Sequence, residues 1–236
     1  MGTAEVIQAP ESKPVFLEDM TGEQQAEVGA ILPAGLVNLG NTCYMNSTLQ
    51  CMRQIPELKD ALTQFRPSNS GDIGANFTRS LADMFQMLER SPQAVTPMHF
   101  VSTLRNVFPQ FAQTGSRGGY MQQDAEELYN AVTNVLSSNL RTGASSGADN
   151  LVDSLLGIEL EERWTCTETD AEPEVVRHDR ARKLVCNIQG GGGSLVQINH
   201  LHEGLRLGME GTVEKNSDVL GRNALWHKTS RISKLP

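Results

Sequence analysis

The chain has 236 residues, 39% of them hydrophobic, with 28 acidic against 20 basic side chains and a formal net charge of −8. That length buries a substantial core as one large domain or two small ones, and the acidic balance argues against a general nucleic-acid binder. No apolar run reaches the eighteen or more residues of a membrane helix, and the acidic, proline-containing N-terminus lacks the apolar core of a signal peptide.

Residues 1–15 read as a leader, and Thr21 to about Ala30 as a short helix with Glu23 and Gln24 in its first turn. Cys43 to Arg53 carries Met45, Leu49 and Met52 at helical spacing. Residues 66–72 are a loop rich in Pro, Ser, Asn and Gly, after which Phe77, Leu81, Met84, Phe85 and Leu88 form an apolar helical stripe. His99 to Phe108 reads as another helix, stopped by Pro109. Asp124 is placed to cap a long helix with Leu128, Val132, Val135 and Leu136 on its inner face. Thr142 to Asn150 is a Ser/Gly/Ala linker, and beyond it the period changes. Leu156, Ile158 and Leu160 alternate with Gly157, Glu159 and Glu161; Leu184, Cys186 and Ile188 alternate likewise; Leu225 to Ile232 reads as a further strand. Helices first and strands afterwards predict an α+β protein.

The most informative stretch is Gly35-Leu36-Val37-Asn38-Leu39-Gly40-Asn41-Thr42-Cys43-Tyr44-Met45-Asn46-Ser47. Its glycines relieve a loop backbone that turns into a helix, and Thr42 is a candidate N-cap, which places Cys43 in the first turn. Unpaired N–H groups and the positive end of the helix dipole favour a thiolate there, the nucleophilic form of cysteine. The bland alternative is a small buried hydrophobe. Cys51, with neither base nor cap, reads as core.

This stretch, from Gly35 to Gln50, resembles the cysteine box of the ubiquitin-specific proteases, papain-like deubiquitinating enzymes. Tyr120-Met121-Gln122-Gln123-Asp124-Ala125-Glu126-Glu127-Leu128 resembles a second box of the same family, in the right order. Phe16 to Thr21, Pro56 to Leu62, Phe108 to Ala112 and Cys166 to Glu168 resemble its proteasome-associated branch. The resemblance implies a papain-like fold. Residues 1–30 would be a leader, 31–141 a helical thumb, 142–150 a linker and 151–236 the antiparallel fingers that grip ubiquitin. It also implies a ubiquitin-like domain ahead of the chain, whose tail Met1 to Ala4 resembles. The catalytic histidine and its acidic partner would lie in a palm beyond Pro236.

The resemblance gives roles to individual residues. Cys43 would be the nucleophile and Asn38 an oxyanion donor, a side chain that chemistry also suits to stabilise the charge left by thiolate attack on a carbonyl. A tight-turn role for Asn38 is compatible with this. Gln122, Asp124 and Glu127 would line the channel for ubiquitin's extended, arginine-bearing C-terminal tail, where amides and carboxylates match backbone groups and arginines. Alternatively, Asp124 merely caps its helix and Glu127 faces the helix dipole.

None of the five histidines, His99, His178, His200, His202 and His227, sits in the family's histidine-box setting. Each reads as surface or structural, so the chain reads as truncated and, alone, nearly inactive and poorly stable. No metal or other cofactor is expected. Zinc needs four ligands, and Cys166 and Cys186 each lack the second cysteine of a Cys-x-x-Cys pair, reading instead as packed strand residues. Gly190 to Gly193 lacks the Gly-Lys-Ser/Thr of a P-loop. The four cysteines show no disulfide framework, so a reducing compartment, the cytoplasm and also the nucleus, is expected. The expected function is thiol-dependent cleavage after ubiquitin's terminal glycine, with ubiquitin, ubiquitinated proteins and the proteasome regulatory particle as partners. The alternative is a non-catalytic binder of ubiquitin or proteasome.

Overall fold

The computed structural model describes residues 15–16, 19–28, 33–67, 71–116, 118–141, 150–188 and 198–236. Most of the leader, nearly all of the linker and the run Gly190 to Gly193 lie outside them. In chain order the elements are helices α1 (Gly22–Glu27), α2 (Cys43–Arg53), α3 (Pro56–Gln64), α4 (Ile73–Arg90) and α5 (Met98–Val107), a 3-10 turn (Pro109–Ala112), α6 (Ala125–Asn139) and α7 (Leu151–Leu156). They continue with strands β1 (Ile158–Cys166) and β2 (Val175–Ala181), helix α8 (Leu201–Met209), and strands β3 (Glu210–Ser217) and β4 (Arg222–Lys234). The strands form one antiparallel sheet in the order β2-β1-β4-β3. This is the α+β architecture that the change of period predicts. The chain divides into two compact units, Met1–Gln54 with Arg66–Leu128, and Ile55–Phe65 with Tyr129–Pro236.

The core of the first unit is largely the predicted one. Asp72 caps α4, its Oδ1 accepting from the Gly74 and Ala75 N–H groups at 2.8 and 3.2 Å, and the stripe of Phe77, Leu81, Met84, Phe85 and Leu88 is buried. The ring of Phe77 meets Phe100 of α5 at 5.3 Å and Phe108 at 5.6 Å; Phe108 meets Phe111 at 6.2 Å, and Phe111 stacks on Tyr44 at 6.1 Å. This aromatic chain runs from α4 to the residue after Cys43, so core packing fixes the first turn of α2. Met45, Leu49 and Met52 are buried as predicted. Cys51 is not core but exposed. Two residues after Leu49, it points about 200° round the helix, away from the apolar face. In α1, Thr21 and Gln24 cap each other reciprocally (2.9 and 3.4 Å).

In the second unit Arg182, the residue after β2, joins α6 and α7. Its Nε donates to Asp153 Oδ1 of α7 at 2.6 Å, its Nη1 to Asn134 Oδ1 of α6 at 2.9 Å, and its carbonyl accepts from Tyr129 Oη at 2.7 Å. The Arg182 hydrogen bond holds the Asp153 carboxyl below its ordinary value, against burial, which raises it. On one face of the sheet Glu162 is only 8% exposed. It is paired with Lys228 of β4 and accepts from Trp164 Nε1 at 3.3 Å. The Lys215 ammonium lies 4.5 Å from the centre of the buried Trp226 ring. Cys166 ends β1, half-buried, as a packed strand residue.

Two strand expectations fail. Leu156 belongs to α7, and the strand begins only at Ile158. Asn150 caps that helix by accepting from the Asp153 N–H at 2.8 Å, and local capping outweighs a short alternation. Residues 184–188 pair with no strand among the described residues, and Ile188 is 80% exposed. Instead Asn187 N–H donates to the Gly204 carbonyl of α8 at 3.1 Å, and half-buried Cys186 packs against that helix rather than in a strand.

That contact explains two glycines in one helix. A Cβ on Gly204 would lie 2.4 Å from the Asn187 carbonyl oxygen and 2.6 Å from Cys186 Sγ, and one on Gly208 would lie 2.2 Å from the Val185 carbonyl oxygen. Gly to Ala inside a helix ordinarily stabilises by roughly 0.5–1 kcal/mol, whereas overpacking costs about 1–3 kcal/mol. The backbone contact wins. Gly204→Ala is expected to lower the melting temperature by several degrees, while Gly211→Ala, with nothing within 4 Å of its Cβ position, leaves it unchanged. Parallel circular-dichroism melts check this; equal midpoints for both variants would refute the close approach.

Candidate active site

The loop before α2 is built around one side-chain oxygen. Asn38 Oδ1 accepts from Gly40 N–H at 2.9 Å, Thr42 N–H at 3.3 Å and Thr42 Oγ1 at 3.1 Å. Thr42 Oγ1 in turn accepts from Leu39 N–H at 3.0 Å. The loop closes through two consecutive left-handed residues, Gly40 at φ 88° and Asn41 at φ 53°. Its upstream arm is pinned on both sides. Val37 N–H donates to Val95 O at 2.9 Å and Val95 N–H to Gly35 O at 2.8 Å. From α2, Asn46 Nδ2 donates to Leu36 O at 3.2 Å, and Gln50 Nε2 to Ala34 O at 3.1 Å.

This arrangement leaves the start of α2 open. Thr42 occupies the N-cap position, but its hydroxyl is engaged within the loop and no side chain among the described residues caps the helix, contrary to the capping role expected for it. Cys43 is the first helical residue, and its side chain is exposed rather than buried. Its backbone N–H has no acceptor among the described residues, and Asn38 Nδ2 likewise donates to none there. Three donors fix the amide oxygen of Asn38, so its N–H₂ is the end left to donate. An exposed thiol, a free helix-start N–H and a free side-chain amide are the parts that nucleophilic attack on a carbonyl needs.

The second box lies in the same unit. Gln122, Asp124 and Glu127 are exposed. Asp124 does cap α6, its Oδ1 accepting from Glu126 N–H at 2.7 Å and Glu127 N–H at 3.2 Å, which leaves Oδ2 for another donor. Gln122 makes no hydrogen bond among the described residues. Burial pushes the Tyr44 phenol above its ordinary value of 10.0, Arg105 opposes this, and Cys43 and Glu127 add to it. Tyr44 thus stands within electrostatic reach of the nucleophile candidate, a candidate of the second box and Arg105. Sequence reasoning passed over Asn41, whose Nδ2 donates to the Tyr120 carbonyl at 2.9 Å, and Arg105, whose guanidinium lies 3.4 Å from the centre of the Tyr120 ring. An Asn directly after a loop glycine is a signal for the left-handed backbone; its partner 79 residues away left none.

Among the described residues no group of three or more His, Cys, Asp or Glu side chains could hold a metal ion, and no helix is long and apolar enough to cross a membrane. His99 is exposed at the start of α5, His178 lies on β2, His227 on β4, and His200, just before α8, stacks at 5.5 Å on His202 in its first turn.

The family model described as Ubiquitin carboxyl-terminal hydrolase matches residues 34–236. Over the whole chain the sequence is 41% identical to Ubiquitin carboxyl-terminal hydrolase 7 of Arabidopsis thaliana, covering 48% of that protein. It is 36% identical over the whole chain to Ubiquitin carboxyl-terminal hydrolase 6 of Schizosaccharomyces pombe, covering 46%. Over 91% of the chain it is 31% identical to Ubiquitin carboxyl-terminal hydrolase 14 of Caenorhabditis elegans, covering 41%. The chain therefore spans about half the length of the curated relatives it matches. With an exposed cysteine opening an uncapped helix, in an α+β chain matched from residue 34 onward, the protein belongs to the ubiquitin carboxyl-terminal hydrolase family.

Proposed function

We propose that this chain carries the nucleophile and oxyanion site of a thiol-dependent deubiquitinase that cleaves the peptide or isopeptide bond after ubiquitin's C-terminal glycine. The observation that carries this reading is the open start of α2, where the loop consumes the Thr42 hydroxyl and the Asn38 oxygen and leaves the Cys43 and Asn38 N–H donors without an acceptor among the described residues. Cys43 Sγ attacks the glycine carbonyl. The carbonyl oxygen, now an oxyanion, is held by Asn38 Nδ2 and the Cys43 N–H. A general base takes the thiol proton, and its conjugate acid protonates the leaving amine as the C–N bond breaks; water, deprotonated by the same base, then hydrolyses the Cys43 thioester and frees the glycine carboxylate and the thiol. Gln122, Asp124 Oδ2 and Glu127 bind the extended ubiquitin tail. The resemblance of Phe16 to Thr21 and of Pro56 to Leu62 to the proteasome-associated branch supports action on ubiquitinated proteins at the proteasome regulatory particle, in the cytoplasm and nucleus.

A second reading, a non-catalytic ubiquitin or proteasome binder, draws on one observation: no histidine hydrogen-bonds Cys43 among the described residues. Ubiquitin bearing a C-terminal electrophile, applied to this chain and to a version extended past Pro236, separates the two. Stoichiometric labelling at Cys43 is the expected result; ubiquitin binding with no adduct would favour the binder, and neither would defeat both.

A further inference from the structure

We propose that Asn41 is a positioning residue that ties the nucleophile loop to the segment binding the extended ubiquitin tail, an inference that rests on the deubiquitinase reading above. Two demands meet at this position. The backbone is left-handed, at φ 53°, the single such non-glycine residue among those described, and the side chain donates to the Tyr120 carbonyl at 2.9 Å. Glycine satisfies the first demand without a donor. Aspartate tolerates the backbone but presents only acceptors. Asparagine alone among the residues at home in this conformation supplies the N–H.

The acceptor is a fixed point. Tyr120 pairs with Thr114 in an isolated antiparallel bridge, its ring lies under the Arg105 guanidinium at 3.4 Å, and the following Met121 N–H donates to Gln113 O at 2.9 Å. The chain then runs through Gln122 and Gln123 to Asp124 and the start of α6. The Asn41 bond therefore sets the nucleophile loop against the root of the segment that carries all three tail-binding candidates. The Asn38 hydrogen bonds that shape the loop do not involve the Asn41 side chain. Losing the tether thus leaves the thiol and its donors in place and changes where the tail segment sits relative to them.

An exposed hydrogen bond is worth a several-fold change in an equilibrium, which sets the size of the expected effect. In Asn41→Gly, the half-saturating concentration of ubiquitin bearing a C-terminal electrophile should rise about 3- to 10-fold, with the limiting rate within about twofold. Amide hydrogen exchange at Met121 to Gln123 should quicken by a similar factor, and alkylation of Cys43 by iodoacetamide should stay unchanged. Asn41→Ala, which also loses a residue suited to the left-handed backbone, should add a lower melting temperature. Unchanged half-saturation or unchanged exchange in Asn41→Gly overturns the proposal. So does a parallel change in iodoacetamide reactivity, which would mean that the loop itself had moved. Wild-type protein that iodoacetamide modifies at Cys43 but the ubiquitin electrophile does not would instead defeat the deubiquitinase reading, and the positioning role with it.

Discussion

In protein extended to supply a general base, Cys43→Ser is expected to abolish hydrolysis of a ubiquitin–fluorophore substrate and all labelling by a ubiquitin electrophile, while leaving the fold and ubiquitin binding intact. The serine keeps the place at the start of α2 but is a far weaker nucleophile near neutral pH. Removing a covalent nucleophile typically costs on the order of 10⁴- to 10⁶-fold in turnover. Nothing in the packing predicts a compensating structural cost. The side chain is exposed, and a surface substitution of this kind changes stability by less than about 0.5 kcal/mol. The second exposed cysteine of α2 provides the control. Cys51 lies round the helix from the buried face, so Cys51→Ser should keep wild-type turnover. Near-normal turnover in Cys43→Ser, or an adduct mapped to Cys51, would remove Cys43 from the mechanism.

What the sequence made legible follows from the range of the interactions. The buried stripe of α4, the α5 stop before Pro109 and the Asp124 cap of α6 depend on neighbours within a few turns, so periodicity and capping chemistry suffice. The cysteine at a helix start is legible for the same reason. The misread segments depend on distant partners. Residues 184–188 alternate like a strand, but their carbonyls are met by the glycine face of α8, which α8's own short sequence does not advertise. The strands β2 and β3, edges of the sheet, are mostly exposed and charged or polar and carry little alternation. Thr42 looks like a cap because its type suits one; only the left-handed turn at Gly40 and Asn41 brings the Asn38 oxygen round to take its hydroxyl. The tether from Asn41 to Tyr120 crosses 79 residues of sequence and is visible only in three dimensions.

Asn38 has two jobs, and a pair of substitutions separates them. Its oxygen organises the loop by accepting from Gly40 and Thr42, and its Nδ2 is the proposed oxyanion donor. Asn38→Ala removes both. The donor alone, aimed at charge that exists only in the transition state, is worth about 10²- to 10³-fold in turnover. The loop bonds, each worth about 0.5–1.5 kcal/mol net, enter stability. In the same extended protein, Asn38→Ala should therefore lower kcat by two orders of magnitude or more, lower the melting temperature by a few degrees, and leave the Kd for ubiquitin within about threefold. Asn38→Asp keeps the acceptor for Gly40 and Thr42 but has no N–H to donate and sets a negative charge where the oxyanion forms. It should hold near wild-type stability and still lose at least as much turnover as the alanine variant. Steady-state kinetics, thermal melts and ubiquitin binding on the same three proteins decide the matter. If Asn38→Asp restored turnover along with stability, the oxygen and the loop would be what catalysis needs, and the donor role of Asn38 would fall.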